Sequence, residues 1–194
     1  MLGRVYHCPP IPAYKEVTSR DFLSRPGQTL LKLGIGYGGA LVFGSPSRQI
    51  DETLRHSQLL LITELGEATG LEQPVAVHAY RITSIEPMDP KTEARVNLFT
   101  QAIFADRKAT LRFLGDYGRS LGEEAMICTG AVIKQRFGLG SIILESTWNE
   151  ISEDSERFMD RLVKKYPGDF SVTPTSFIWR QSPEPKNPLI VPSS

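Results

Sequence analysis

Val75-Ala76-Val77-His78-Ala79-Tyr80-Arg81-Ile82-Thr83-Ser84-Ile85 is the stretch on which the reading of the fold turns. It is rich in β-branched and aromatic residues and closes on Pro87-Met88-Asp89-Pro90, so it predicts a strand ended by a turn. Similar stretches recur at Ala94–Phe104, Ala109–Leu114, Glu124–Phe137 and Ser141–Trp148. They are parted by Asp106-Arg107-Lys108, Asp116–Gly122 and Gly138-Leu139-Gly140. Connections that short predict an antiparallel meander.

Outward from this block the pattern changes. Thr29–Ile35 and Ala40–Phe43 flank Gly36-Tyr37-Gly38-Gly39, which supplies the positive-φ positions of a hairpin. Ser45 as N-cap and Pro46 at the first helical position open a helix in which Ile50, Leu54, Ser57, Leu61 and Leu65 recur at helical spacing up to Gly66. Asp51, Arg55, Gln58 and Glu64 fall on its far side, toward water. A second amphipathic helix is predicted at Glu153–Tyr166, with Phe158, Met159, Leu162, Val163 and Tyr166 inward, stopped by Pro167-Gly168. Phe170–Arg180 reads as a last strand, placed at an edge by Pro174. The expected fold class is α+β: a largely antiparallel sheet of six to seven strands with two amphipathic helices packed on it.

Proline punctuates both ends. Pro9, Pro10, Pro12 and Pro26 fix φ and remove backbone donors across residues 1–26, and Pro183, Pro185, Pro188 and Pro192 do the same across 182–194. These segments are expected to be an extended N-terminal arm and an extended C-terminal tail, with one domain at 27–181 between them. A chain of 194 residues at 40% hydrophobic content buries one sizeable core.

Twenty-two basic residues balance twenty-two acidic ones. This excludes the bulk footprint of a general nucleic-acid binder. Residues 1–32 hold five basic residues against two acidic, a net of +3, and 45–74 hold two against five, a net of −3. The basic arm is therefore the one part suited to peripheral contact with an anionic membrane. No apolar run reaches the roughly 20 residues of a membrane span. Two distant cysteines and no apolar leader segment at Met1–Pro12 predict a reducing, cytoplasmic or intracellular setting.

Chemistry-bearing residues are sparse. Gly34-Ile35-Gly36-Tyr37-Gly38-Gly39 satisfies G-x-G-x-x-G in form, but only Ala40–Phe43 follow before Gly44-Ser45-Pro46, too short a helix to face a phosphate. The hairpin reading is preferred, and no cofactor is expected. His78 and Cys128, facing each other across a sheet, would resemble a nucleophile and its base. Cys128 in the apolar run Ala125–Ile133 reads instead as a small core residue. His7-Cys8 lacks the further ligands a zinc site needs, so no metal is expected. Asp51-Glu52, Glu123-Glu124 and Glu153-Asp154 sit beside turns or helix starts and suit a helix dipole. Glu124 or Glu145 with Lys134 on paired strands would suggest a metal-dependent nuclease, with a solvated edge as the plainer reading. Phe99, Phe104, Phe113, Phe137, Trp148 and Trp179 read as core.

The predicted order of hairpin, helix, strands, helix and strand, with the arm segment Pro9-Pro10-Ile11-Pro12-Ala13-Tyr14, resembles rhabdovirus matrix proteins. These are of similar length and carry a P-P-x-Y motif in a proline-rich arm; here two extra residues precede the tyrosine. The resemblance implies a virion component and a partner-binding role for Pro9, Pro10, Pro12 and Tyr14. With no catalytic constellation visible, the leading expectation is a non-enzymatic assembly protein that self-associates or docks other proteins through its arms. The alternative is a small-molecule-binding enzyme or binding module with a pocket on the sheet face, formed by Tyr80, Glu124, Cys128 and Trp148. A third reading, ranked last, is a peripheral nucleic-acid binder using Arg107, Lys108, Arg112 and Arg119.

Overall fold

The computed structural model describes residues 6–7, 58–65, 72–88, 92–147 and 153–181. These residues form an α+β protein with strands β1 (Tyr6–His7), β2 (Gln58–Leu65), β3 (Glu72–Pro87) and β4 (Glu93–Ala105). Helices α1 (Arg107–Tyr117) and α2 (Leu121–Phe137) follow. Then come β5 (Ser141–Thr147), α3 (Glu153–Lys165), β6 (Phe170–Val172) and β7 (Ser176–Gln181). They belong to two compact units, residues up to 79 with 101–129, and residues 80–100 with 130–181.

In the first unit β1 pairs antiparallel with β2, Tyr6 opposite Glu64 and His7 opposite Thr63. These two residues are the described part of the segment expected to be an N-terminal arm. The beginning of β3 lies beside β2. Val75, Ala76, Val77, His78 and Ala79 are all buried, so β3 here is covered on both faces and needs its nearly unbroken apolar sequence. Asp106 then starts α1 in extended conformation, and its carboxylate accepts the Ala109 N–H at 2.8 Å. The Asp106 N–H donates to Val75 O at 2.7 Å, tying the helix start to β3. Gly118, at φ 66°, ends α1 in the left-handed region, and its N–H donates to Leu114 O at 2.9 Å. Ser120 immediately caps α2, its hydroxyl accepting the Glu123 N–H at 3.2 Å.

In the second unit the strand order is β3-β4-β5-β7-β6. The register of β4 on β5 is parallel, from Glu93 opposite Ser141 to Phe99 opposite Thr147. A parallel pair requires a long crossover, which the segment carrying α1 and α2 supplies. β7 pairs antiparallel with both β5 and β6. Val96, Leu98, Ile142, Leu144, Phe177 and Trp179 form the core of this unit, with Met159 and Leu162 of α3 also buried. Strand residues in alternation with them, such as Arg95, Thr147 and Arg180, are exposed.

Several expectations are corrected. Ala109–Leu114 and Glu124–Phe137 lie in helices where strands were expected. Asp106 is an N-cap rather than a turn residue, and α2 is nearly buried all round over 121–130, which removes the amphipathic period that marks a surface helix. The sheet is mixed rather than a meander. Gln58–Leu65 is a strand with Leu60 and Ile62 buried, so period two prevails over the helical spacing of Leu61 and Leu65. Phe170–Arg180 breaks at Pro174 into a hairpin, which leaves β7 interior and β6 outermost. In its turn Thr173 N–H donates to Ser176 O at 2.8 Å, and the proline lies where no ladder donor is needed. The hairpin at Thr29–Phe43 and the helix start at Ser45 lie outside the described residues. No helix among the described residues is long and apolar enough to cross a membrane.

Candidate functional site

The first unit buries polar side chains of β3 and α2, and His78 of β3 meets Thr129 of α2. His78 comes from β3, and Glu123, Glu124, Cys128 and Thr129 come from the N-terminal half of α2. Each is less than 5% exposed. Buried polar groups are costly unless paired, so their partners define the arrangement.

His78 Nδ1 lies 2.7 Å from Thr129 Oγ1, and the Thr129 hydroxyl donates to Ala125 O at 2.8 Å. Burial pushes the His78 pKa down from 6.5 to about 3, so the ring is neutral at physiological pH. One turn earlier on α2, Glu124 Oε2 is ion-paired with Arg119 Nε, which reaches in from the α1–α2 connection. The Arg119 side chain is 13% exposed and that of Glu124 3%, so this pair is held largely out of water. Glu124 also stands in the first turn of α2, where the helix dipole favours a carboxylate. Cys128 Sγ lies 3.8 Å from Glu124 Oε1. Cys128 is disulfide-bonded, so the sulfur has no proton to give and this is a contact rather than a hydrogen bond. The chain's other cysteine, Cys8, lies outside the described residues.

These contacts revise the sequence-based site residues. His78 does approach the helix that carries Cys128, but its imidazole bonds Thr129, and a disulfide sulfur is no nucleophile. Of the expected pocket, Glu124 and Cys128 lie one turn apart on α2, Tyr80 is buried in β3 within the second unit, and Trp148 is outside the described residues. Pro9, Pro10, Pro12 and Tyr14 are outside them too. Glu124 and Glu145 are not on paired strands: Glu124 is helical, and Glu145 on β5 sits 3.9 Å from Arg95. Among the described residues no three metal-capable side chains cluster. Of the four cations assigned to nucleic acid, Arg107 and Lys108 are exposed, Arg112 is half-buried and Arg119 is committed to Glu124. Phe113, Phe177 and Trp179 are core, while Phe137 is exposed.

Thr129 went unnoticed in the sequence, as did the link from Arg119 to Glu124. The four-residue spacings Glu124–Cys128 and Ala125–Thr129 carry the signal only once 121–137 is read as a helix, since residues four apart then share a face.

No protein-family model matches the chain, and no curated protein matches it. Among solved structures it is similar to a GNAT-family acetyltransferase from Listeria monocytogenes, 13% identical over 92% of this chain and 94% of that one, with a TM-score of 0.44. A putative GNAT-family acetyltransferase from Desulfovibrio desulfuricans is 12% identical over 94% and 100%, at 0.46. A point mutant of the AtaT toxin, bound to the C-terminus of the antitoxin AtaR and to acetyl-CoA, is 13% identical over 69% and 72%, at 0.37. These are not viral matrix proteins, and the layout behind that resemblance fails at 107–137, where two helices stand in place of strands. The reading as a non-enzymatic, matrix-like virion component rested on that layout and is corrected with it.

Proposed function

We propose that the protein is a small-molecule-binding enzyme or binding module whose polar machinery is the β3–α2 cluster of the first unit. The observation that carries this reading is the burial of His78, Thr129, Glu124 and Arg119 in one small region, with the imidazole held neutral. Apolar residues at these positions would pack at lower desolvation cost, and retained buried titratable groups concentrate where ligands are handled. A neutral imidazole offers hydrogen-bond acceptance and proton transfer, and the carboxylate offers a fixed negative charge held in place by Arg119. Glu124 and Cys128 of the expected pocket belong to this cluster. Tyr80, two residues after His78 on β3, falls in the second unit.

The test is a thermal-shift screen of the full chain against small-molecule classes: thioesters with acetyl-CoA first, since the AtaT structure contains it, then amines, amino acids and sugars. A ligand at one hundred times its Kd stabilises by about 2.7 kcal/mol. The expected result is a rise in Tm with one class, lost in Glu124→Gln and in His78→Gln. No rise with any class, or a rise that survives both substitutions, overturns the proposal.

A further inference from the structure

We propose that residues 81–87 of β3 are an open sheet edge on which a second copy of this chain adds its own β3, antiparallel and about a two-fold axis at Thr83.

β2 has 8 residues and β3 has 16. The connection from Leu65 to Glu72 is too short for a parallel crossover, so the end of β2 lies beside the start of β3. β2 is therefore used up along 72–79, the part of β3 that belongs to the first unit. Beyond it, among the described residues, no strand lies along the side of β3 away from β4. Arg81, Thr83, Ser84, Glu86 and Pro87 are exposed. The Met88 N–H donates to Glu93 O at 2.9 Å, which sets the register on β4 and puts Ser84 opposite Asn97. The side chains agree: Asn97 Nδ2 donates to Ser84 Oγ at 2.6 Å and to Glu86 Oε1 at 2.9 Å. In an antiparallel ladder alternate residues turn their N–H and C=O groups to opposite sides. Residues 82, 84 and 86 thus bond β4, and 81, 83 and 85 offer their groups outward, a template for another strand.

Setting Thr83 opposite Thr83 of the second copy pairs all three outward residues. Arg81 then faces Ile85 of the second copy, and no like charges stand opposite each other. Ile82, Thr83 and Ile85 are β-branched, as a paired strand favours. The segment carries one cation and one anion, Arg81 and Glu86, in a chain of 22 basic and 22 acidic residues. A strongly charged partner gains nothing there, whereas two neutral copies meet without net repulsion. Pro87 has no N–H and ends the edge. A two-fold pairing consumes both edges, so association closes at the dimer.

Light scattering of the full chain across concentration reads the mass. The expected result is a rise from one chain mass to two in wild type, with nothing larger. Thr83→Pro removes an outward donor while leaving the bonds to β4 in place, and the dimer should be lost. Ile85→Lys sets a cation opposite Arg81 of the second copy and should also abolish the dimer, whereas Ile85→Glu sets an anion there and should tighten it. A single chain mass at every concentration overturns the proposal and leaves the edge to a different protein. A dimer that persists in both Thr83→Pro and Ile85→Lys, or that responds alike to lysine and glutamate at 85, overturns it too. Circular dichroism checks that each variant is folded; if Thr83→Pro is not, the two Ile85 variants decide.

Discussion

The side-chain amide of Gln181 rests against the bare backbone of Gly130: a Cβ built there would lie 1.8 Å from Gln181 Oε1 and 2.6 Å from its Cδ. Gly130 is buried within α2, a position where glycine costs about 1 kcal/mol of helix stability relative to alanine. The close approach by β7 explains why the helix carries it. Gly130→Ala should therefore push the end of the Gln181 side chain aside and destabilise by about 1 kcal/mol, the low end of overpacking costs. In a Gln181→Ala background the same substitution should be neutral or stabilising, by up to about 1 kcal/mol. Urea denaturation of the four chains measures the coupling, and additive effects would refute the contact.

Arg119 and Glu124 form a pair held largely out of water, so removing one partner leaves the other charge buried. Arg119→Met should cost about 3–5 kcal/mol. Arg119→Met with Glu124→Gln should recover most of that loss, because no uncompensated charge remains. Thermal unfolding compares the two. Equal destabilisation in both would mean that lost packing, not the stranded carboxylate, is what matters.

His78 sets a pH dependence whose sign is fixed. Its folded pKa, about 3, lies below the ordinary 6.5 because burial disfavours the cation. The unfolded chain thus binds a proton at a pH where the folded chain does not. The contribution of His78 is flat above pH 6.5, and stability falls by about 1.4 kcal/mol per pH unit as pH drops from there toward 3. His78→Gln should flatten this slope. An unchanged slope between about pH 6 and pH 4 in the variant would assign the acid sensitivity elsewhere.

Asp106 caps α1 through the Ala109 N–H. Asp106→Ala should cost about 1 kcal/mol, and Asp106→Asn much less, because an amide oxygen accepts the same bond. Chemical denaturation at neutral pH reads both, and a full loss in the asparagine variant would point to charge rather than capping.

Strands β3, β4 and β5 and the last helix were legible because their chemistry is local. Glu72–Pro87, Glu93–Ala105 and Ser141–Thr147 carry β-branched runs bounded by turn residues, and Glu153–Lys165 has a strong apolar face ended by Pro167-Gly168. The stretch between them was not. Ala125–Ile133 is apolar on every side of the helix, so neither period shows, and only tertiary burial decides for α-helix. That single misreading hid the site, because Glu124 and Cys128 stack one turn apart on a helix, as Thr129 does on Ala125, and a strand reading separates them. Ala109–Leu114 failed for a related reason: Phe113 is buried but Leu111 and Leu114 are exposed, which blurs the helical stripe. The parallel register of β4 and β5 follows from the helical crossover and was lost with it.

The central claim is that the β3–α2 cluster binds a small molecule. Amide and methyl chemical-shift mapping during titration of the full chain with the compound that gives the largest thermal shift tests it most directly. The account predicts the largest perturbations at His78, Glu124, Cys128 and Thr129, all saturating with one Kd. Perturbations confined to the β5–β7 sheet, with those four residues unmoved at saturation, would contradict it.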